Sequence, residues 1–262
     1  MTYQDIFPKK KTFIGCVHLL PLPGAPLYDG NLGAIYEQAL QEAALLETHG
    51  AHGLIIENFR DKPFYPDRLP AETIASLAAI GREVVRSVSI PVGVNALRND
   101  ATAAMSIATA IGAHFIRVNV HMGAVVSDQG ILQGRSYETL RLKQQLRSKV
   151  LIFADVRVKH SSPLGDRGLD AETKDLSLRG MVDALIVSGS GTGSETSPAD
   201  LTIVKANTSL PVLVGSGITP ENIDKFSAAD GFIVGSCFKK DGNADNPIDE
   251  TRLKKIMPSL RG

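Results

Sequence analysis

PVLVGSGIT at 211–219 and GFIVGSCF at 231–238 are the two stretches on which the fold turns. Each is a short apolar run that ends in Gly-Ser. Runs of this length, rich in Val and Ile and bounded by glycine, read as buried strands. The same grammar recurs upstream. Strand-length runs at 12–18, 53–58, 91–96, 114–120, 150–157 and 184–188 precede these two, at 211–215 and 231–235. Helical patterns lie between and after them, near 33–49, 70–88, 100–111, 136–148, 170–180, 198–206, 219–227 and 249–257. Alternating strand and helix units imply a parallel sheet. Eight units favour a closed (β/α)8 barrel, an α/β fold of typically about 250 residues. The chain has 262, with no linker or charge block dividing it, so one TIM-barrel domain over residues 1–262 is expected.

Local signals agree with the helix starts. Asn99-Asp100 is a cap for the third helix, Ser136 a cap for the fourth, and Thr219-Pro220-Glu221 opens the seventh. Pro91 and Pro211 stand at the starts of strands, where a missing N–H is tolerated.

Composition narrows the function. Lys+Arg and Asp+Glu are both 28, for a formal net charge of zero. That balance argues against a general electrostatic grip on nucleic acid or anionic lipid. Cys16 and Cys237 are isolated thiols rather than a disulfide framework, which points to a reducing, cytoplasmic setting. No run reaches the ~20 apolar residues of a membrane-spanning helix. The expectation is a protein without an integral membrane segment, compatible with peripheral membrane association, and a homo-oligomer.

Side chains alternate across a strand. In HFIRVNVH at 114–121, Ile116, Val118 and Val120 share the face that meets the helices, and Arg117, Asn119 and His121 share the face that points inward. In the next strand Asp155, Arg157 and Lys159 take the inward face. Burying charge is costly unless it is paired, and Arg117 and Asp155 lie on neighbouring strands. His18, Glu57, Asn58, Asn95 and Ser188 stand at the ends of other strands. Barrel enzymes work at the carboxyl ends of their strands, so this polar ring is the candidate site. Glu57, Asp155, His18, His121 and Lys159 are the candidate catalytic groups. Asn58, Asn95, Arg117, Asn119, Ser188, Thr192 and Gly193 are candidates to bind substrate.

Loops after strands 7 and 8 of such a barrel frequently hold phosphate. Gly215, Ser216 and Gly217 leave the seventh strand, and Gly235 and Ser236 leave the eighth. Their backbone N–H groups and hydroxyls suit an anion, so a phosphorylated small molecule is the expected ligand. SGSGTGSET at 188–196 could join the same site. None of these runs matches a dinucleotide fingerprint or a P-loop. The sequence shows no HxH on the first strand and no HExxH, so no metal is assigned. No cofactor is fixed either, although FMN is a further reading because its phosphate suits this kind of barrel site.

Seven segments resemble the BtpA/SgcQ family: GCVHLLPLPGAP (15–26), IIENFRDKPF (55–64), VGVNALRNDATAAMSIA (92–108), FIRVNVHMGAVVSDQGILQG (115–134), FADVRVKHSSPL (153–164), DALIVSGSGTG (183–193) and PVLVGSGITPENI (211–223). The resemblance implies a TIM barrel. It adds Asp61, Arg98, Asn99, Asp100 and His160 to the polar residues already named. Ser188 stands where Thr is expected in many relatives, and Arg60 where Gly is expected. The family name is attached to photosystem I biogenesis in photosynthetic bacteria, while relatives accompany sugar-uptake genes elsewhere. Two functions therefore compete. One is an enzyme, a lyase, isomerase or hydrolase, acting on a sugar phosphate or nucleotide-like compound. The other is a non-catalytic assembly factor that binds a membrane-protein partner.

Overall fold

The structure, a computed structural model, describes residues 1–9, 11–189, 191 and 195–260. Among them are eleven strands: β1 (Thr12–His18), β2 (Gly53–Glu57), β3 (Val92–Asn95), β4 (Phe115–Val118), β5 (Ala124–Ser127), β6 (Gly130–Gln133), β7 (Leu151–Asp155), β8 (Ser161–Pro163), β9 (Ala184–Val187), β10 (Val212–Val214) and β11 (Gly231–Val234). Eight of these, β1, β2, β3, β4, β7, β9, β10 and β11, pair in parallel in that order, and β11 closes back on β1. The fold is the (β/α)8 barrel that the alternation implies.

The α-helices are α1 (Tyr3–Ile6), α2 (Leu32–Thr48), α3 (Ala71–Ser87), α4 (Ala101–Ile111), α5 (Ser136–Gln145), α6 (Leu169–Leu178), α7 (Pro198–Ala206) and α8 (Glu250–Leu260). Asp100 caps α4 by accepting from the Ala103 N–H at 2.9 Å. Ser136 is not a cap; Arg135 holds that position and Ser136 is the first helical residue. The helix expected over 219–227 is absent. The Asn222 side chain accepts from the Thr219 N–H at 2.8 Å and donates to the Gly217 carbonyl at 2.7 Å. This folds the start of the segment into a turn and leaves only a 3-10 turn over Ile223–Phe226 before β11.

Two features lie outside the expected plan. β5, β6 and β8 form a small antiparallel sheet from the loops after β4 and β7. Leu132 is buried under it with Val120 and Val158. At the other end of the barrel, α1 carries Tyr3, Ile6 and Phe7 into the interior cluster that includes Phe115 and Phe153. Those two rings stack at 4.6 Å, and Phe7 meets Phe115 edge-on at 5.9 Å. Thr2 and Asp5 form a reciprocal capping box that holds this single turn. Gly93 leaves space for the Phe115 ring, which a Cβ there would overlap.

Between the strands and the outer helices lies the larger core, from Phe13 and Val17 round to Phe232 and Phe238. One ion pair is enclosed at its margin. Lys239, just after β11, donates to both carboxylate oxygens of Glu42 on α2, at 2.6 Å each, and its side chain is fully buried. Removing one partner of such a pair strands the other charge. Lys239→Met should cost about 3–5 kcal/mol of stability in urea unfolding, and adding Glu42→Leu should restore most of it. A single variant as stable as the wild type would show that the pair does not brace this junction.

Candidate active site

Strand-end positions that face inward carry polar groups here. His18 ends β1, Glu57 ends β2, Asn95 ends β3 and Asp155 ends β7; Arg117 lies on β4. Asn119 and Ser188 follow one residue after β4 and β9. At the centre, Arg117 donates from Nε and Nη2 to the two oxygens of Asp155, both at 2.9 Å. Asn119 Nδ2 donates to Asp155 Oδ2 at 3.0 Å, and Ser188 Oγ donates to Oδ1 at 2.9 Å. Burial works against the charge of Arg117, but Asp155 outweighs it and holds the guanidinium above its usual range. Both oxygens of Asp155 are thus engaged, and the carboxylate holds Arg117 in place.

Glu57 is less enclosed by partners. Its Oε1 accepts from Asn95 Nδ2 at 2.9 Å and lies 3.8 Å from Arg117 Nη1. Its Oε2 faces His18 Nε2 at 3.7 Å. His18 stacks on Phe59, with centroids 4.2 Å apart, and its Nδ1 lies 3.2 Å from the Ala244 carbonyl. Burial, then the nearby Lys239, pushes the His18 pKa well below its ordinary value, so the ring is neutral at pH 7.

Lys159 reaches the same place. Burial first, and then the positive charge of Arg117, lowers its pKa. Among the described residues its ammonium has no hydrogen bond and no ion pair within 4.0 Å. The strand breaks off before this position. β7 ends at Asp155, and regular pairing resumes only at Ser161. Arg157 therefore faces outward, where it pairs with Glu172 at 3.0 Å and with Asp166 at 2.6 Å, against the inward placement read from alternation.

Two other candidates, His121 and Asn58, fall elsewhere, and two more are not described. His121 is not brought to the ring: β4 ends at Val118, and its Nε2 donates to the Gly180 carbonyl at 2.9 Å. Asn58 braces two loops, accepting from the Leu97 N–H at 2.7 Å and donating to Asp61 at 3.1 Å. Thr192 and Gly193 lie outside the described residues.

The Gly-Ser turns line a recess of about 30 Å³ together with Cys16, His18, Glu57, Arg117 and Lys159. The reason for each glycine differs. The Gly215 N–H donates to the Val187 carbonyl at 2.8 Å, so it continues the ladder. A Cβ on Gly215 would stand 2.7 Å from Ser188 Oγ and 3.2 Å from Arg117 Nη2. Gly235 makes room for His18 in the same way, at 2.9 Å from Cε1. Gly217 has a φ of 69°, a conformation that favours glycine. Ser216 Oγ accepts from the Gly189 N–H at 2.8 Å, and Ser236 lines both this recess and the wider mouth.

Above the recess opens a cavity of about 1000 Å³, whose wall includes Glu57, Asn95, Arg117, Asn119 and Lys159. Several of its residues escaped strand-end reasoning. Arg98, which donates to the Lys159 carbonyl at 2.6 Å, is on a loop, as are Phe59, Lys62 and Asp128. Asn243, Ala244 and Asp245 come from the run KKDGNADNP at 239–247. That turn-rich stretch after the last strand was the available sign of a loop reaching over the mouth. Among the described residues no three His, Cys, Asp or Glu side chains converge as a metal site. Nor is any of their helices long and apolar enough to cross a membrane.

Solved structures share the fold across nearly the whole chain. (S)-3-O-geranylgeranylglyceryl phosphate synthase from Thermoplasma acidophilum, in complex with sn-glycerol-1-phosphate, matches with a TM-score of 0.61 at 15% identity, covering 100% of this chain and 99% of that one. Phosphoribosyl anthranilate isomerase from Thermus thermophilus gives 0.60 at 12% identity, with 95% and 98% covered. Sequence relatives are nearer. An uncharacterized protein of Methanocaldococcus jannaschii is 46% identical, with 95% of each chain covered. The photosystem I biogenesis protein BtpA of Synechocystis is 41% identical, covering 98% of this chain and 91% of the relative. An uncharacterized mitochondrial protein of Caenorhabditis elegans is 32% identical, with 93% and 90% covered. With the BtpA family matched over residues 9–262 and relatives this similar along their whole lengths, the chain belongs to the BtpA family.

Proposed function

We propose that this barrel is an enzyme acting on a phosphorylated small molecule, a sugar phosphate or a nucleotide-like compound. The observation that carries this reading is Lys159, a half-buried lysine that lines both the recess and the large cavity without an ion pair of its own among the described residues. Withdrawing a charge from water without a partner is unfavourable, and a bound anion would supply the partner. Four cationic side chains line the cavity, Lys62, Arg98, Arg117 and Lys159, against three carboxylates, Glu57, Asp128 and Asp245. The Gly-Ser turns at 215–217 and 235–236 adjoin Lys159 in the recess. Structural neighbours whose names carry phosphorylated compounds offer analogy in fold, no more.

In this reading Lys159, with Ser216, Ser236 and the glycine turns, holds the phosphate. Arg117 is kept rigid by Asp155, Asn119 and Ser188 and faces the substrate as a fixed positive charge. Glu57 and His18 remain to move protons, because Asp155 is fully engaged.

An assembly factor binding a membrane-protein partner is the second reading. It draws on the name of the Synechocystis relative and on one exposed apolar stripe. Val126 and Ile131 are cross-strand partners on the small sheet and both face solvent, with Leu164 beside them. Relatives in a methanogen and a nematode favour a role not tied to a photosystem.

Thermal unfolding tests the first reading with inorganic phosphate, ribose 5-phosphate, glucose 6-phosphate, nucleoside monophosphates and FMN. A ligand at ~100 times its dissociation constant should add roughly 2.7 kcal/mol to the wild type. Lys159→Met should abolish that gain, whereas Val126→Glu with Ile131→Glu should retain it. No shift in the wild type would overturn the phosphate reading and turn attention to the apolar stripe.

Neutral His18 also leaves a signature in stability. Its folded pKa lies below the ordinary 6.5, as does that of His121, in each case through burial first. The unfolded chain therefore binds more protons just below pH 6.5, and stability is present above that pH and falls as pH drops beneath it. His18→Asn should flatten the fall by up to about 1.4 kcal/mol per pH unit. An unchanged slope would mean that His18 is not held neutral.

A further inference from the structure

The segment after β11 folds back over the mouth. Lys239 and Ile248 bridge, and the Lys240 N–H donates to the Pro247 carbonyl at 3.0 Å, closing the base of a loop. The Glu42–Lys239 pair fixes that base to α2. Two contacts hold its tip to the loop after β2: Lys62 with Asp245 at 2.9 Å, and Arg60 with the Asn246 carbonyl at 3.4 Å. Between them, Ala244 presents its carbonyl to His18 Nδ1 at 3.2 Å.

A carbonyl oxygen only accepts, so the contact with Nδ1 requires a proton on Nδ1. A neutral imidazole carries one ring proton, and the bond made by one nitrogen decides the state of the other. Nε2 is then an acceptor. The ring has little freedom to turn, with Phe59 stacked on it and Gly235 too close to tolerate a Cβ. Nε2 faces Glu57 Oε2 at 3.7 Å, and both atoms accept hydrogen bonds. Two acceptors at that separation suit one donor group that can serve both, such as a water molecule or an amine. The surrounding charges are Glu57 itself and the cations Lys159, Lys239 and Arg60.

We propose that the loop 240–248 is a positioning element: through the Ala244 carbonyl it fixes His18 as the Nδ1–H tautomer and so aims Nε2, beside Glu57, into the recess as a proton acceptor. The catalytic meaning of this rests on the enzyme reading above; the tautomer does not. With the tip withdrawn, the imidazole has no reason to keep its proton on Nδ1, and Nε2 is no longer reserved for the ligand.

The test is nitrogen NMR of 15N-histidine-labelled protein at pH 7.5, with His18 assigned by its loss in His18→Asn. The wild type should show one tautomer, protonated Nδ1 and bare Nε2. A variant in which residues 241–246 are replaced by an Asn-Gly turn keeps the base of the loop and removes the Ala244 carbonyl. It should show averaged signals from both tautomers. Lys62→Met with Asp245→Asn loosens the tip with the backbone intact and should give an intermediate result. A proton on Nε2 in the wild type overturns the proposal. So does a single Nδ1–H tautomer that persists in the shortened loop. The phosphate reading fails separately, by the absence of a thermal shift with inorganic phosphate, and that failure leaves the tautomer result untouched.

Discussion

Placing Arg117 and Asp155 at the centre of a barrel removes both from water, a cost of several kcal/mol per ion unless each finds partners. The mouth is arranged to supply them. The guanidinium meets Asp155 through two parallel bonds, and Asn119 and Ser188 take up remaining capacity on the carboxylate. Gly215 is needed because any side chain there would collide with Ser188 and Arg117. One buried pair thus constrains residue type on four strands or strand ends.

The strands and the inward polar face were legible because side-chain alternation is a property of the backbone. It places Arg117 inside as soon as Ile116 and Val118 are recognised as core. The same rule misplaces His121 and Arg157, because each lies beyond the last paired residue of its strand, where alternation no longer holds. Lys159 lines the recess as alternation expects, although it too lies beyond the last paired residue of β7. The plug formed by α1 was hidden for a related reason. One turn of helix shows no period, and Tyr3, Ile6 and Phe7 are too few to declare a face.

Loop residues were the least accessible. Arg98, Lys62 and Ala244 reach the site through turns whose direction depends on packing against other loops. Ala244 is the extreme case, since it acts through a main-chain carbonyl and its side chain says nothing about the role. The Gly-Ser turns show the converse. Their glycines read as openings for a ligand, and at Gly215 and Gly235 a Cβ would also crowd Arg117, Ser188 and His18. Both readings require a missing Cβ, and only the neighbours tell them apart.

The pair formed by Glu42 and Lys239 joins residues 197 positions apart, in the first and last units of the ring. While the chain is being made, α2 carries a carboxylate on the surface that must later be enclosed. Its counter-charge arrives only when the eighth strand has been synthesised. A partial barrel that closed over α2 would enclose the Glu42 carboxylate without its counter-charge. The ion pair thus ties favourable enclosure of α2 to the presence of the last unit of the ring.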